Sequence, residues 1–303
     1  MKNQTHENHV FKQLHKTDFT KFEKIYKNFK HLLIGLFAIF ACTFVIILAI
    51  SVFYFQSLTD KSVNMSDHEL RTELLDIPGN QDINHNNENI LTEYNESINP
   101  LVIGPRQVNN NVIKALTASE DSLFFYHNGI LPKALIRAVG QDIFNTKAAS
   151  GGSTITQQLV KNQLLTNEKT YDRKANELVL SMRTEKILTK NEIIYTYLNI
   201  VPFGRDFNGS DITGIASASF SLFGKSTTNL NIAESAYLIG LLQSPYHYTP
   251  YEEDGSLKSE SQIQIGLDRQ HYVLKRMLVE GEITLYDFKK AEKFNIKQHL
   301  MTK

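Results

Sequence analysis

The sequence has a single cysteine and no excess of either charge. Cys42 is the only cysteine among 303 residues, so no internal disulfide can form. That thiol lies in an apolar stretch, where it is expected to pack as a small hydrophobe. No cysteine cluster or His-x-x-x-His pair is present to suggest a structural metal site. Lys plus Arg and Asp plus Glu both number 32, so the net charge gives no general attraction to nucleic acid.

The charge is nevertheless distributed unevenly around a long apolar run. Residues 1–31 contain seven lysines and three acidic residues, and we expect them to form a poorly ordered cytoplasmic tail. Leu32–Phe55 carries no charge, and as a helix it would extend ~36 Å, enough to cross a membrane. The lysines before this transmembrane anchor favour a cytoplasmic N-terminus and place the rest of the chain outside the cell membrane.

A cleavable signal peptide is the alternative interpretation of this run. Signal peptides usually have a shorter apolar core and small residues at the cleavage site. The run here is longer and ends in bulky residues, Phe53-Tyr54-Phe55. The sequence therefore favours an anchor that is retained.

Residues 56–107 differ in composition from both neighbours. They are acidic and rich in asparagine, with little hydrophobic periodicity, which is typical of a solvated extracytoplasmic linker. Within them, Leu70, Leu74, Leu75 and Ile77 are spaced for one short amphipathic turn.

The globular part is predicted to span 108–303 and to be mostly α, because runs that alternate at period two are nearly absent. Apolar residues at helical spacing, together with capping residues, mark the predicted helices. These are 109–119, 132–145, 154–166, 173–188, 191–199, 212–222, 231–243, 261–281 and 284–293. Ile130–Phe144 is apolar around most of its circumference, so it is either a core helix or a surface that dips into lipid.

Two stretches carry residue types suited to chemistry. Glu120–Gly129 sets two carboxylates beside aromatics and a histidine. Gly151–Asn162 places two glycines before a Thr-x-x-Gln capping pattern, Thr154 to Gln157. Free amides at a helix start bind anions, so the pair combines a candidate proton acceptor with a candidate phosphate cradle.

Each feature also has a simple structural explanation. His127 is more often a hydrogen-bonded structural residue than a catalyst, and Phe124 is most simply a core residue. Arg173, Lys174 and Glu177 share one helix face, as in ordinary surface salt bridges.

In combination, the chain resembles the peptidoglycan glycosyltransferases of glycosyltransferase family 51, found in class A penicillin-binding proteins and monofunctional transglycosylases. The motifs that carry the resemblance are Glu120-Asp121-x-x-Phe124-x-x-His127-x-Gly129, Gly151-Gly152-Ser153-Thr154-Ile155-Thr156-Gln157-Gln158-Leu159-x-Lys161-Asn162, Arg173-Lys174-x-x-Glu177, Lys190-x-Glu192-Ile193-x-x-x-Tyr197-Leu198-Asn199, and Gly214-Ile215 through Gly224-Lys225. They cover about 110–293.

The resemblance implies a lysozyme-like, two-lobed helical domain behind one transmembrane helix. It also implies a membrane-bound polymerase that joins lipid II to the growing glycan strand with inversion and releases polyprenyl diphosphate, alongside other cell-wall synthesis proteins. No transpeptidase motif Lys-Thr-Gly occurs, so a monofunctional enzyme is expected.

The resemblance also assigns site residues. Glu120 is the expected catalytic base, and Glu177 is the second catalytic glutamate. No cofactor is firmly implied, since Glu177 either orients the neighbouring cations or holds a divalent cation such as Mg²⁺ or Mn²⁺. The expected substrate-binding residues are Asp121, Phe124, His127, Ser153, Thr154, Gln157, Gln158, Lys161, Asn162, Arg173 and Lys174.

Two departures and two rival functions remain at this point. Pro202 stands where the family usually has an aromatic residue, and the segment between Gly204 and Gly214 is longer than expected. A lysozyme-like hydrolase also uses two carboxylates, but it needs no diphosphate cradle. A tethered interaction protein that has lost activity would not be expected to keep Glu120 and Lys161.

Overall fold

The computed structural model describes residues 2–59, 64–80, 83–84, 87, 89–132, 152–166, 168 and 170–302. The chain forms two compact units, Met1–Leu58 and Thr59–Lys303.

The first unit is one helix, α1 (Lys2–Leu58). Its Phe19–Ser57 portion is long and apolar enough to cross a membrane. The helix starts at Lys2, so it includes residues 2–31, which were expected to be a poorly ordered tail. No proline or glycine interrupts residues 2–34, and the lysines that suggested a tail are good helix formers.

The second unit is mainly α-helical in its described residues. Its α-helices are α2 (Asp67–Leu75), α3 (Ile90–Glu96), α4 (Asn110–Glu120), α5 (Ile155–Leu164), α6 (Tyr171–Ile187), α7 (Lys190–Ile200), α8 (Ile215–Phe223), α9 (Ile232–Leu241), α10 (Pro245–Tyr248), α11 (Glu260–Val279) and α12 (Leu285–Glu292). Short 3₁₀ helices occupy Pro105–Gln107, Phe124–Tyr126, Thr227–Asn229 and Ile296–His299.

The helices pack in two groups. One contains α2, α5, α6 and α7, and the other contains α4, α9 and α11 with α12 against α11. The predicted mostly α, two-lobed domain, preceded in the sequence by one N-terminal apolar helix, is therefore confirmed. Among the predicted helices, 132–145 lies outside the described residues beyond its first position, as does most of Ile130–Phe144.

The predicted linker 56–107 differs most from the structure. Thr59 onward belongs to the folded unit, and α2 and α3 lie within the supposed linker. Leu70, Leu74 and Tyr94 are fully buried. The interpretation as a solvated tether was wrong because a few apolar side chains at helical spacing bury completely even among many asparagines.

A two-stranded hairpin was not predicted. Strands β1 (Pro202–Arg205) and β2 (Asp211–Thr213) pair antiparallel, with an irregularity between Pro202 and Gly204. The longer segment noted in the sequence forms its turn. Gly209 has φ +83°, and a Cβ there would lie 2.1 Å from the carbonyl oxygen of Glu253. The turn therefore packs closely against the backbone at Glu253, a contact that the pattern of apolar and polar residues in the sequence does not predict.

Candidate active site

Glu120 ends helix α4 and lines an open cleft of about 400 Å³. The cleft wall combines residues from the first, second and third motifs with residues beyond them. These are Glu120, Gly152, Ser153, Gln157, Gln158, Lys161, Asn162, Glu177, Val201, Pro202, Leu242, Gln243 and Pro245. The candidate base and the candidate phosphate cradle therefore share one cleft.

The Glu120 carboxylate is held from two sides. Its Oε2 accepts a hydrogen bond from Gln158 Nε2 at 3.0 Å, and its Oε1 lies 3.3 Å from Arg269 Nη2. The Glu120 and Arg269 side chains are 12% and 13% exposed, so neither is free to swing into solvent. This fixes the carboxylate at the cleft wall.

Gln158 is itself oriented by Tyr197. The Tyr197 hydroxyl donates to Gln158 Oε1 at 2.7 Å, which leaves the amide nitrogen directed at Glu120. Burial, and secondarily the charge of Glu120, hold the pKa of Tyr197 well above its ordinary value. The phenol therefore stays protonated and keeps its role as a donor.

The second motif begins helix α5 as the capping pattern predicts. Thr154 accepts from the Gln157 amide at 3.1 Å, and Gln157 Oε1 accepts from the Thr154 amide at 2.9 Å. Two turns along the helix, Lys161 and Asn162 are exposed on the cleft wall. Gly151 lies outside the described residues.

Glu177 is buried on α6 and is bound by two cations from the preceding turn. Arg173 Nη1 lies 2.6 Å from Oε2, and Lys174 Nζ donates to Oε1. Lys174 also donates to Ser153 at 3.2 Å, which links the third motif to the second.

This arrangement bears on the two roles left open for Glu177. Both of its carboxylate oxygens accept from cationic side chains, which favours an orienting role toward Arg173 and Lys174. The donor set does not fit a divalent cation, because both oxygens of the carboxylate are already paired with positive groups.

Asp121, His127 and Thr154 lie in a layer behind the cleft wall. Asp121 Oδ2 accepts from His127 Nε2 at 2.8 Å and from the Ile155 amide at 3.0 Å. Thr154 donates to the Gly129 carbonyl at 2.6 Å, and its side chain is fully buried. These residues are close to the site, but in this arrangement they bond to the fold and not to the cleft.

Phe124 is fully buried as well, and its ring lies 4.5 Å from Lys190 Nζ. The simple core interpretation applies to this aromatic. Its neighbours Phe125 and Tyr126 are exposed.

Arg269 is the functional candidate that sequence reasoning missed. It lies on α11, its Cζ stacks 4.3 Å from the ring centroid of Tyr272, and its Nε is buried without a partner. Nothing local in the sequence connects Arg269 to Glu120. The only available signal is its place on the inward face of a helix.

Pro202, which stands where an aromatic residue was expected from the motif pattern, lines the cleft. It begins β1, which packs against α10. The loop geometry there is the hairpin described above.

The transglycosylase family model matches residues 87–278. Penicillin-binding protein 1A of Escherichia coli (strain K12) is 36% identical over 196 residues, which is 64% of this chain and 21% of that protein. Penicillin-binding protein 1A of Clostridium perfringens (strain 13 / Type A) is 40% identical over 156 residues, 50% of this chain and 22% of that protein. The chain therefore spans about a fifth of the length of these relatives.

Among solved structures, the chain matches the crystal structure of penicillin-binding protein 1A from Haemophilus influenzae at 29% identity. The match covers 38% of this chain and 15% of that one, with a TM-score of 0.31, a value that establishes no common fold. The family model covers well over half of the chain, including Glu120, Lys161 and Glu177. The chain belongs to the transglycosylase family.

Proposed function

We propose that this chain polymerises lipid II into linear glycan strands. The donor is the growing strand on its polyprenyl diphosphate, and the acceptor is lipid II. Glu120 takes the proton of the acceptor's GlcNAc 4-hydroxyl, whose oxygen attacks the donor MurNAc C1 from the face opposite the diphosphate. The bond from C1 to the phosphate oxygen breaks, its electron pair leaves with the diphosphate, and the anomeric centre inverts.

The observation that carries this proposal is the contact between the first and second motifs. Gln158 lies on α5, the helix whose start forms the candidate phosphate cradle, and it donates to Glu120. Lys161 lines the same cleft one turn further along α5. A base and a cation on one helix-lined wall suit a reaction in which a proton is removed while negative charge collects on a leaving group.

The cations near the cleft differ in their exposure to solvent and in their partners. Lys161 is exposed on the cleft wall, so it can meet a diphosphate directly. Arg173 and Lys174 are oriented by Glu177, which limits their motion before the substrate arrives. Fixed positive groups of this kind lower a barrier without having to reorganise during the reaction.

The membrane arrangement follows the same proposal. Helix α1 anchors the chain, the lysines of residues 1–31 keep the N-terminus cytoplasmic, and Thr59–Lys303 lies outside with the lipid-bound substrate. Other cell-wall synthesis proteins are the proposed partners. The monofunctional interpretation stays a prediction.

The hydrolase alternative is tested by offering two substrates. The full chain in detergent is incubated with purified lipid II and, separately, with preformed glycan polymer. Growth of strands from lipid II with the polymer left intact supports the transferase. Consumption of the polymer alone would assign the two glutamates to glycan hydrolysis, and consumption of neither would leave only a binding role.

A further inference from the structure

A buried polar cluster lies against the loop of residues 121–129, which follows Glu120. The cluster consists of Glu185, Lys190, Thr156 and His127. Glu185 belongs to none of the motifs, and Lys190 belongs to the fourth motif without an assigned role. The Glu185 side chain is 4% exposed and that of Lys190 is 22% exposed, so both are largely shielded from solvent.

Glu185 joins three helices through one oxygen. It lies on α6, and its Oε1 accepts from Thr156 of α5 at 2.6 Å and from Lys190 Nζ of α7 at 2.7 Å. A buried carboxylate requires such donors, because leaving a buried charge unpaired is strongly unfavourable. The side chain is therefore fixed where these three helices meet.

Lys190 carries the connection from Glu185 to the loop. Besides its contact with Glu185, Nζ donates to the His127 carbonyl oxygen at 2.7 Å and lies over the Phe124 ring. The loop is also close to the α6 backbone, since a Cβ on Gly129 would meet the Ser181 carbonyl oxygen at 2.5 Å. The loop thus has little room to move.

His127 carries the connection back to Glu120. Its Nδ1 accepts from the Gly129 amide at 3.0 Å, so the ring proton is on Nε2, which donates to Asp121. Asp121 also accepts from the Ile155 amide at the start of α5. Asp121, the residue next to Glu120, is therefore bonded both to the His127 ring and to the start of the helix that presents Gln158 to Glu120.

We propose that Glu185 is a positioning residue for the base. Its charge holds Lys190, Lys190 holds the loop through the His127 carbonyl, and the His127–Asp121 contact sets the place of Glu120 and Gln158. This inference rests on the proposed function for its effect on the reaction, but the control of His127 by Glu185 can be measured without any substrate.

The test compares Glu185→Gln with Glu234→Gln in the full chain. Glu234 is a matched control, because it is a fully buried carboxylate at the start of α9 that pairs with Lys225 at 2.6 Å, in the other group of helices. For each variant, kcat and KM for lipid II are measured, together with thermal unfolding and the ¹⁵N signals of the His127 ring. That signal is identified by its loss in His127→Gln.

For Glu185→Gln we expect kcat to fall about tenfold to a hundredfold with KM within about twofold of wild type, because a small misplacement of a reacting group has effects of this size. The His127 ring signals should shift. Glu234→Gln should lower thermal stability while leaving kcat and the His127 signals unchanged. If Glu185→Gln does not fold, Thr156→Val removes one donor to the same oxygen and should give a smaller change in the same direction.

Wild-type kcat in Glu185→Gln or, where that variant does not fold, in Thr156→Val would overturn the proposal. An equal loss of kcat in Glu234→Gln would also overturn it, since general destabilisation would then explain the effect. A wild-type chain that does not consume lipid II would refute the proposed function instead. In that case, unchanged His127 signals in the variant would separately refute the control of the loop by Glu185.

Discussion

Arg269 Nη2 lies 3.3 Å from Oε1 of Glu120, although 149 positions separate the two residues in the sequence. The contact joins α11 to the end of α4, and the ring of Tyr272 supports the guanidinium. Because both side chains are largely shielded from water, salt screens this pair less than it screens an ordinary surface ion pair.

Arg269→Ala should therefore lower kcat more than it raises KM. The loss of a hydrogen bond to a charged group, worth about 1.5–3 kcal/mol, corresponds to about tenfold to a hundredfold in rate. Steady-state kinetics on lipid II measure this. Lys275→Ala, an exposed change on the same helix, is the control and should have no effect. A KM effect alone would mean that Arg269 binds substrate and does not hold the base.

Tyr197→Phe tests the orientation of Gln158. Without the hydroxyl, the Gln158 amide loses the partner that directs its nitrogen at Glu120. We expect kcat to fall about fivefold, the equivalent of about 1 kcal/mol.

Tyr94→Phe is the matched control for Tyr197→Phe. Tyr94 is fully buried like Tyr197, and its hydroxyl bonds to Thr196 of α7 at 3.0 Å. Both variants should lose similar stability in urea unfolding, but only Tyr197→Phe should lose activity. Equal activity losses in the two variants would contradict the role given to Tyr197.

Lys161→Ala tests the candidate cradle. Since Lys161 is exposed on the cleft wall, we expect binding of a diphosphate lipid analogue to weaken about tenfold at low salt and less at high salt, where charges are screened. Equilibrium binding at two salt concentrations measures this, with the exposed Lys186→Ala as control. Unchanged affinity in Lys161→Ala would place the diphosphate elsewhere.

Leu74→Ala tests whether residues 56–107, the predicted linker, contribute to the folded domain. Leu74 is fully buried, so its truncation should lower the free energy of unfolding by about 2–5 kcal/mol. Leu101→Ala, at a side chain that is 48% exposed, should change it by less than about 0.5 kcal/mol. Equal small effects would restore the linker interpretation.

The sequence was informative wherever a local signal decides the structure. The capping box at Thr154 with Gln157 is read directly from residue spacing, and helix α5 begins where those residues predict. The motifs likewise predicted that Glu120 and Lys161 belong to one site, and both line the same cleft.

The remaining features depend on contacts between distant residues. Arg269 meets Glu120 only after α11 packs against α4, and Tyr197 orients Gln158 from a different helix. The burial of Leu74 among asparagine-rich neighbours depends on the surfaces that receive it. No spacing within the sequence encodes these contacts, so sequence reasoning could not have found them.

The most direct test of the central claim is a comparison of the wild-type chain with Glu120→Gln on purified lipid II, with folding checked by thermal unfolding. Glutamine keeps the shape of the side chain but cannot accept the proton of the sugar hydroxyl under these conditions. We predict that wild type forms glycan strands, while Glu120→Gln folds and forms none. Strand growth near the wild-type rate in Glu120→Gln would show that another group is the base.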